Sequence, residues 1–458
     1  MSAASPRSRP WIILAIFLYG ALIAALAALV FYRRQGVVDP IVDLNGFGKI
    51  ARNLAHGNGF SQGHGPTMRR APLYPWFGAA LLMLFGRDAP GMSQAAIYLP
   101  ILVANCVLFG VTCVAVWILA SRLFGQRTAA VAVIACPLIP QCLRYVGMTE
   151  VETLMGLCVV LLAFTSLELT ARPSVRSGVA FGATAAAATL AKPIVLLFPF
   201  VFLALAAYDW KRRATSRRDA VIASCAALAV FGALLLPWSL RNMAVTDGQF
   251  KGISSNGPAE FLRGYVNAQP KYYLLRQDFG GTGTGEKWDP EANVFEEKLL
   301  KPYGLTFYWA TLGGGETSPP HPADVADARL EVEKDRVESI EVKRRVLSDP
   351  AAFLGKVGVQ LFTFWYIVET RAKSIFVGAV AALVLILAAA GVLRARREGH
   401  LVWPVVATIL YFNVIYALFL AFARYSMPLF PTLVVLAAGG LTSLAERLRV
   451  GLEAYKSM

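Results

Sequence analysis

Asp43 is the residue best placed to do chemistry. It follows an apolar run, and Phe47, Ile50, Ala51 and Leu54 come after it at helical spacing until Gly57 and Gly59 break the pattern. That pattern predicts a short amphipathic helix lying at a water–lipid boundary with a carboxylate at its start. A carboxylate held there can take a proton as a general base. The loop continues into PTMRRAPLYPW at 66–76, where Arg69 and Arg70 precede a Pro-Leu-Tyr-Pro turn. A loop this long and this specific, directly after a membrane span, points to chemistry at the membrane surface.

A second acidic feature, Glu150 and Glu152, falls at the end of one apolar run and the start of the next. Ionisable groups at span ends are costly unless paired or wetted, so they often mark a site; pairing with the nearby Arg144 is the bland alternative. Lys192, Arg241 and Arg424 fall at the same outer level as Arg69 and Arg70. Each alone reads as an interface anchor, but together they suit a phosphate leaving group, which needs charge-assisted donors. This gives an expected donor-phosphate set of Arg69, Arg70, Lys192, Arg241 and Arg424. Phe47, Tyr74 and Glu152 are expected to line the substrate loop.

The elements that must position these residues are membrane helices. The chain is 56% hydrophobic, with long apolar runs between basic clusters. Its net charge of +15 is gathered at span ends, for example at Lys211–Arg218 and Arg394–Arg397. That is the positive-inside pattern rather than the continuous basic stripe a nucleic acid would need, so no nucleic-acid partner is expected. Spans are expected near 11–32, 95–121, 128–146, 153–170, 177–191, 193–209, 219–238, 374–393, 401–422 and 426–444, with both termini cytoplasmic. Leu73–Gly86 is short for a span, and counting it as one would invert the charge pattern downstream. It and Phe353–Thr370 are therefore expected to lie on the outer face without crossing. The organisation expected is an N-terminal transmembrane module over 1–240 with its first outer loop at 33–94, an outer loop region over 241–373, and C-terminal spans over 374–458. A charged helix is expected from about 323 to 347.

Other signals are weak. GGTGTG at 280–285 lacks the Lys-Ser/Thr of a phosphate loop, and GGG at 313–315 reads as a turn. His56 and His64 have no third ligand type nearby, and His321 sits in a proline-rich turn. The six cysteines fall in apolar runs without a CxxC pair and are expected to be small buried hydrophobes. The apolar run after the basic N-terminus lacks a small-residue cleavage site, which predicts an uncleaved signal anchor.

Taken in order, Asp43-x-x-x-Phe47 with IARNLAHGNGF, PTMRRAPLYP, MTEVETL, LAKPIVLLFP, PWSLRN, SDPAAFL and RYSMPLFP resemble the GT-C membrane glycosyltransferases. The nearest groups are glycosyltransferase family 39, the dolichyl-phosphate-mannose-protein mannosyltransferase type, and the lipid A aminoarabinose and rhizobial galacturonic acid transferases. The resemblance implies an all-α polytopic GT-C fold. It also implies transfer of a sugar from a polyprenyl-phosphate donor to a lipid or glycan acceptor on the outer face of a bacterial inner membrane. It makes Asp43 the catalytic base or acceptor-orienting group, with Glu150 preferred over Glu152 as the second acidic position. Many relatives carry an adjacent acidic pair in this loop, whereas here the other carboxylate is Asp39, four residues back, and Phe47 stands where tyrosine is common. One carboxylate makes a poor divalent-cation site, so no metal or other cofactor is assigned. The alternative reading is a transporter or flippase of a lipid-linked sugar. Against it, the sequence shows no repeated halves, and its ionisable residues sit at span edges rather than within spans.

Overall fold

The computed structural model describes residues 10–35, 42–43, 45–63, 65–86, 88–89, 91–250, 252–269, 298–305, 327–368 and 370–456. Helices occupy the apolar runs, because in lipid each backbone polar group must be bonded within its own segment. Those answering to the expected spans are Pro10–Gln35, Leu99–Phe124, Gln126–Ala135, Glu152–Ala171, Val175–Ala191, Phe198–Arg212, Arg217–Val245, Arg371–Arg397, Trp403–Leu418 and Phe430–Lys456. Among the described residues, 7 stretches are long and apolar enough to cross a membrane. The expected spans at 128–146 and 401–422 are met by the shorter helices Gln126–Ala135 and Trp403–Leu418, whereas Val175–Ala191 covers the whole of 177–191. Pro137 and Pro140 account for the first: the chain tightens into a 3-10 turn at Cys136–Leu138 and restarts as Pro140–Leu143. On the first helix Leu14, Leu18 and Leu22 stay exposed at helical spacing, as a lipid-facing stripe does.

Small residues set the closest helix contacts. A Cβ at Gly178 or Gly182 would come within 2.2 Å of the Ala223 or Ala227 carbonyl oxygen. The helices Val175–Ala191 and Arg217–Val245 can therefore touch backbone to backbone only because these positions carry no side chain. The buried core runs through the Leu99–Phe124, Glu152–Ala171 and Phe430–Lys456 helices, with Val116, Leu119, Val159, Leu162, Leu433 and Val435 among its members.

Further elements among the described residues surround the site. They are the helix Phe47–Ala55, a small antiparallel pair formed by Ser61–Gly63 and Gly65–Pro66, and the helices Leu73–Phe85, Gly257–Asn267, Asp327–Ser348 and Pro350–Tyr366. The helix expected at 353–370 begins at Pro350, where proline suits the first helical position and the Asp349 side chain accepts from Ala352 N at 2.9 Å. The charged helix at 327–348 is fastened to the first loop by Glu331. Its carboxylate accepts from the Thr67 hydroxyl, from Met68 N at 2.7 Å and from the Ser255 hydroxyl at 3.1 Å.

All six cysteines are free; Cys225 is exposed, contrary to the expectation of burial, because it lies on an outward face of its helix. Asp39, His64, His321 and the glycine-rich stretches at 280–285 and 313–315 lie outside the described residues.

Candidate active site

The site starts from the helix Phe47–Ala55, whose N-terminus is made by Gly46 and Asp43. Gly46 adopts φ 73°, and a side chain there would collide with Gln62 Nε2 at 1.7 Å. The turn brings the Asp43 carboxylate onto the first free N–H groups of the helix. Gly48 N donates to Oδ1 at 3.0 Å and Lys49 N to Oδ2 at 2.7 Å. The Thr149 hydroxyl donates to Oδ1 at 3.1 Å, and Thr149 N is bonded to the Val42 carbonyl at 2.9 Å, which joins this loop to the segment carrying the second acidic pair. The helix then stops as expected: Gly57 and Gly59 both take positive φ.

Burial raises the Asp43 carboxyl above its ordinary range, against the lowering effect of the three hydrogen bonds and of the Arg70 charge. A base with a raised pKa is stronger, provided it is ionised at working pH.

Asn45 is the link to the second acidic pair. Its amide donates to Glu150 Oε1 at 2.7 Å, while its carbonyl and side-chain oxygens accept from Arg70 Nε and Nη2, each at 3.1 Å. Arg70 also lies 5.2 Å over the Phe47 ring, and Phe47 meets Tyr74 edge-on at 5.7 Å. Tyr74 is buried, with its hydroxyl bonded to Asn105, so it supports the loop from behind. Burial, then the neighbouring Arg69 charge, lowers Arg70 to about 10, which leaves it protonated near neutral pH.

Glu150 and Glu152 are both buried, and Arg424 spans them: Nη2 donates to Glu150 Oε2 and Nε to Glu152 Oε1, each at 2.6 Å. Lys192 Nζ donates to the same Glu152 oxygen at 3.2 Å and lies 4.9 Å from the Tyr425 ring, which stacks on Tyr416 at 4.6 Å. The ion-pair partners seen for the two carboxylates are Arg424 and Lys192, from helix ends distant in sequence. Burial, then the Glu152 charge beside it, pushes Glu150 upward despite Arg424.

The structure therefore gathers Asp43, Phe47, Arg70, Tyr74, Glu150, Glu152, Lys192 and Arg424 into one connected network. Arg241 stands apart from it. Its Nη1 donates to the Thr67 carbonyl at 2.7 Å, its Nη2 to the Phe60 carbonyl at 3.3 Å, and the guanidinium lies 4.8 Å over Trp238. Arg69 is buried, and its backbone N–H donates to the Thr67 hydroxyl at 3.2 Å. Sequence reasoning missed Asn45, Thr149 and Glu331. Asn45 lies between Asp43 and Phe47, but nothing in its spacing marks it. Among the described residues no group of three His, Cys, Asp or Glu side chains is arranged to hold a metal ion.

This is the helical architecture of a GT-C membrane protein, as the resemblance implied. An oligosaccharyltransferase of Archaeoglobus fulgidus in its apo form superposes with a TM-score of 0.54 at 15% identity, covering 98% of this chain. The oligosaccharyltransferase AglB from Archaeoglobus fulgidus, in complex with an inhibitory peptide and a dolichol-phosphate, gives 0.52 at 14% identity, again over 98% of this chain. The chain spans about half, 52%, of the length of each. ArnT from Cupriavidus metallidurans in its apo state is similar at 14% identity over 94% of this chain and 76% of its own, with a TM-score of 0.38. Residues 69–238, from the paired arginines to Trp238, match the family described as dolichyl-phosphate-mannose-protein mannosyltransferase. No curated protein matches the sequence.

Proposed function

We propose that the chain is a glycosyltransferase that moves a sugar from a polyprenyl-phosphate donor to an acceptor of the cell envelope, whether lipid A, polysaccharide or protein. The observation that carries this reading is the Asp43 carboxylate, held on two backbone N–H groups and fastened through Asn45 and Thr149 to the network of Glu150, Glu152, Lys192 and Arg424. Asp43 accepts the acceptor hydroxyl proton as the oxygen bonds to the anomeric carbon. The bond from that carbon to the phosphate oxygen breaks, and the electron pair leaves with the lipid phosphate. A single displacement of this kind inverts the anomeric carbon. The family match over residues 69–238 supports a lipid-borne donor, as does the dolichol-phosphate in complex with the archaeal enzyme of like fold.

Arg70, Lys192 and Arg424 face the network and are the first choice to receive the phosphate, with Arg69 beside Arg70. In this reading Arg241 serves the set indirectly, by holding the Thr67 and Phe60 carbonyls. The site lies on the periplasmic face of a bacterial inner membrane, with 33–94 and 241–373 outside and both termini cytoplasmic. Nucleotide sugars are absent there, which is the physical reason for a lipid-linked donor. Incubating purified protein with a membrane lipid extract, and searching for a sugar-bearing acceptor by mass spectrometry, tests the reading. A product whose formation needs the polyprenyl-phosphate fraction supports it; donor movement between leaflets with no acceptor modified contradicts it.

A further inference from the structure

Glu152 uses only one of its two oxygens. Oε1 accepts from Arg424 and Lys192, whereas Oε2 is buried and accepts no hydrogen bond. Gln141, in the Pro140–Leu143 turn, shows the same asymmetry. Its amide nitrogen donates to the Val377 carbonyl at 3.3 Å, and its Oε1 is buried without a donor. Both side chains line one cavity, together with Thr153, Gly156, Pro428 and Pro431. The residues Gln141 and Glu152 are 3% and 4% exposed, so bulk water does not serve these oxygens.

Two side chains that line one cavity each leave a buried acceptor oxygen without a donor, and a ligand that donates twice would satisfy both. The cavity gives the centre of a water-sized sphere about 20 Å³, which is room for one water and little more. Charge argues against a cation: Glu150 and Glu152 are already balanced by Arg424 and Lys192, so no net negative charge is left. A hard metal ion also wants more oxygen ligands than these two. A water can donate to both oxygens and accept from the Thr153 hydroxyl on the same wall.

We propose that this cavity is a built site for one water molecule that donates to Glu152 Oε2 and Gln141 Oε1, making Gln141 a positioning residue for the acidic cluster. The bound water fixes the Glu152 carboxylate so that Oε1 faces both cations. The site stands whether or not the chain transfers sugar, because it rests on the cavity and its two acceptors alone.

Gly156→Ala tests it on the full chain in detergent. A Cβ there meets nothing nearer than the Pro428 carbonyl oxygen and Pro431 Cγ, both at 3.9 Å, so the protein accommodates it while the methyl takes space from the water. Alanine also favours the helix interior, so filling a dry cavity would raise the melting temperature or leave it unchanged. Displacing the water instead lowers it by about 2 °C or more, the scale of a lost buried hydrogen-bond partner in a large protein. A rise or an unchanged melting temperature overturns the proposal. Gln141→Met removes the shared acceptor, so its effect and that of Gly156→Ala should fall short of additive; full additivity overturns the shared site. The infrared carboxylate band assigned to Glu152 by its loss in Glu152→Gln should shift in Gln141→Met, and an unmoved band denies the positioning role. Density at a resolution that shows waters should place one within hydrogen-bond distance of both oxygens, and a side chain filling that space instead overturns the proposal.

Discussion

Arg424 Nη2 reaches Glu150 Oε2 at 2.6 Å across 274 residues of sequence, and its Nε holds Glu152 at the same distance. The last membrane segment thereby closes the site that the first loop opens. Removing one partner of a buried ion pair leaves a charge without compensation, which costs about 3–5 kcal/mol. Arg424→Gln should lower the thermal stability of the whole chain by an amount of that order. Adding Glu152→Gln should recover part of the loss, because it deletes one of the stranded charges. A double variant no more stable than Arg424→Gln alone would show that Arg424 acts on the stability through some other contact.

The pH dependence of transfer follows from Asp43. Burial raises its carboxyl, so the ionised base is lost as pH falls through a value above the usual aspartate pKa of about 3.9. For stability the sign is opposite. A raised folded-state pKa contributes stability below the unfolded value that is lost as pH rises through the folded one. Thr149→Val keeps the side-chain shape but removes the hydroxyl that donates to Oδ1 at 3.1 Å, a bond that favours the ionised form. The acidic limb of kcat/KM should therefore move to higher pH in Thr149→Val. A limb that stays in place, or moves down, contradicts the role given to this contact.

Local features were the legible ones. The Phe47–Ala55 helix follows from its periodicity and from the glycines that stop it, both readable within a dozen or so residues. The spans follow from hydropathy and charge for the same reason. What the sequence hid is lateral placement. Arg144 is near Glu150 in the chain, yet the partner in space is Arg424, because tertiary packing rather than sequence distance brings the helix ends together. Arg241 was grouped with the phosphate set by its level at the membrane, but a level says nothing of which way a guanidinium points. Here it points to the Thr67 and Phe60 carbonyls. Glu331 is one of many charges on the Asp327–Ser348 helix, and nothing local marks its contacts with Thr67 and Met68 on the first loop and with Ser255.

Topology offers a test independent of any chemistry. With 33–94 and 241–373 outside, a single cysteine at Gln126 of a cysteine-free variant should resist an impermeant thiol reagent in intact cells. One at Gly283, which lies outside the described residues, should react. Labelling at 126, or protection at 283 that persists once the membrane is opened, would overturn the orientation.

The base assignment is tested most directly by the transfer rate of Asp43→Asn, measured with a polyprenyl-phosphate donor on protein of verified folding. Asparagine keeps the size and can still accept from Gly48 N, Lys49 N or the Thr149 hydroxyl through its one oxygen, but it cannot take the acceptor proton. The account predicts a loss of roughly a hundredfold or more, the usual contribution of general-base catalysis, with Asp39→Asn affected far less. Wild-type transfer by Asp43→Asn would contradict it and pass the role to Glu150 or Glu152.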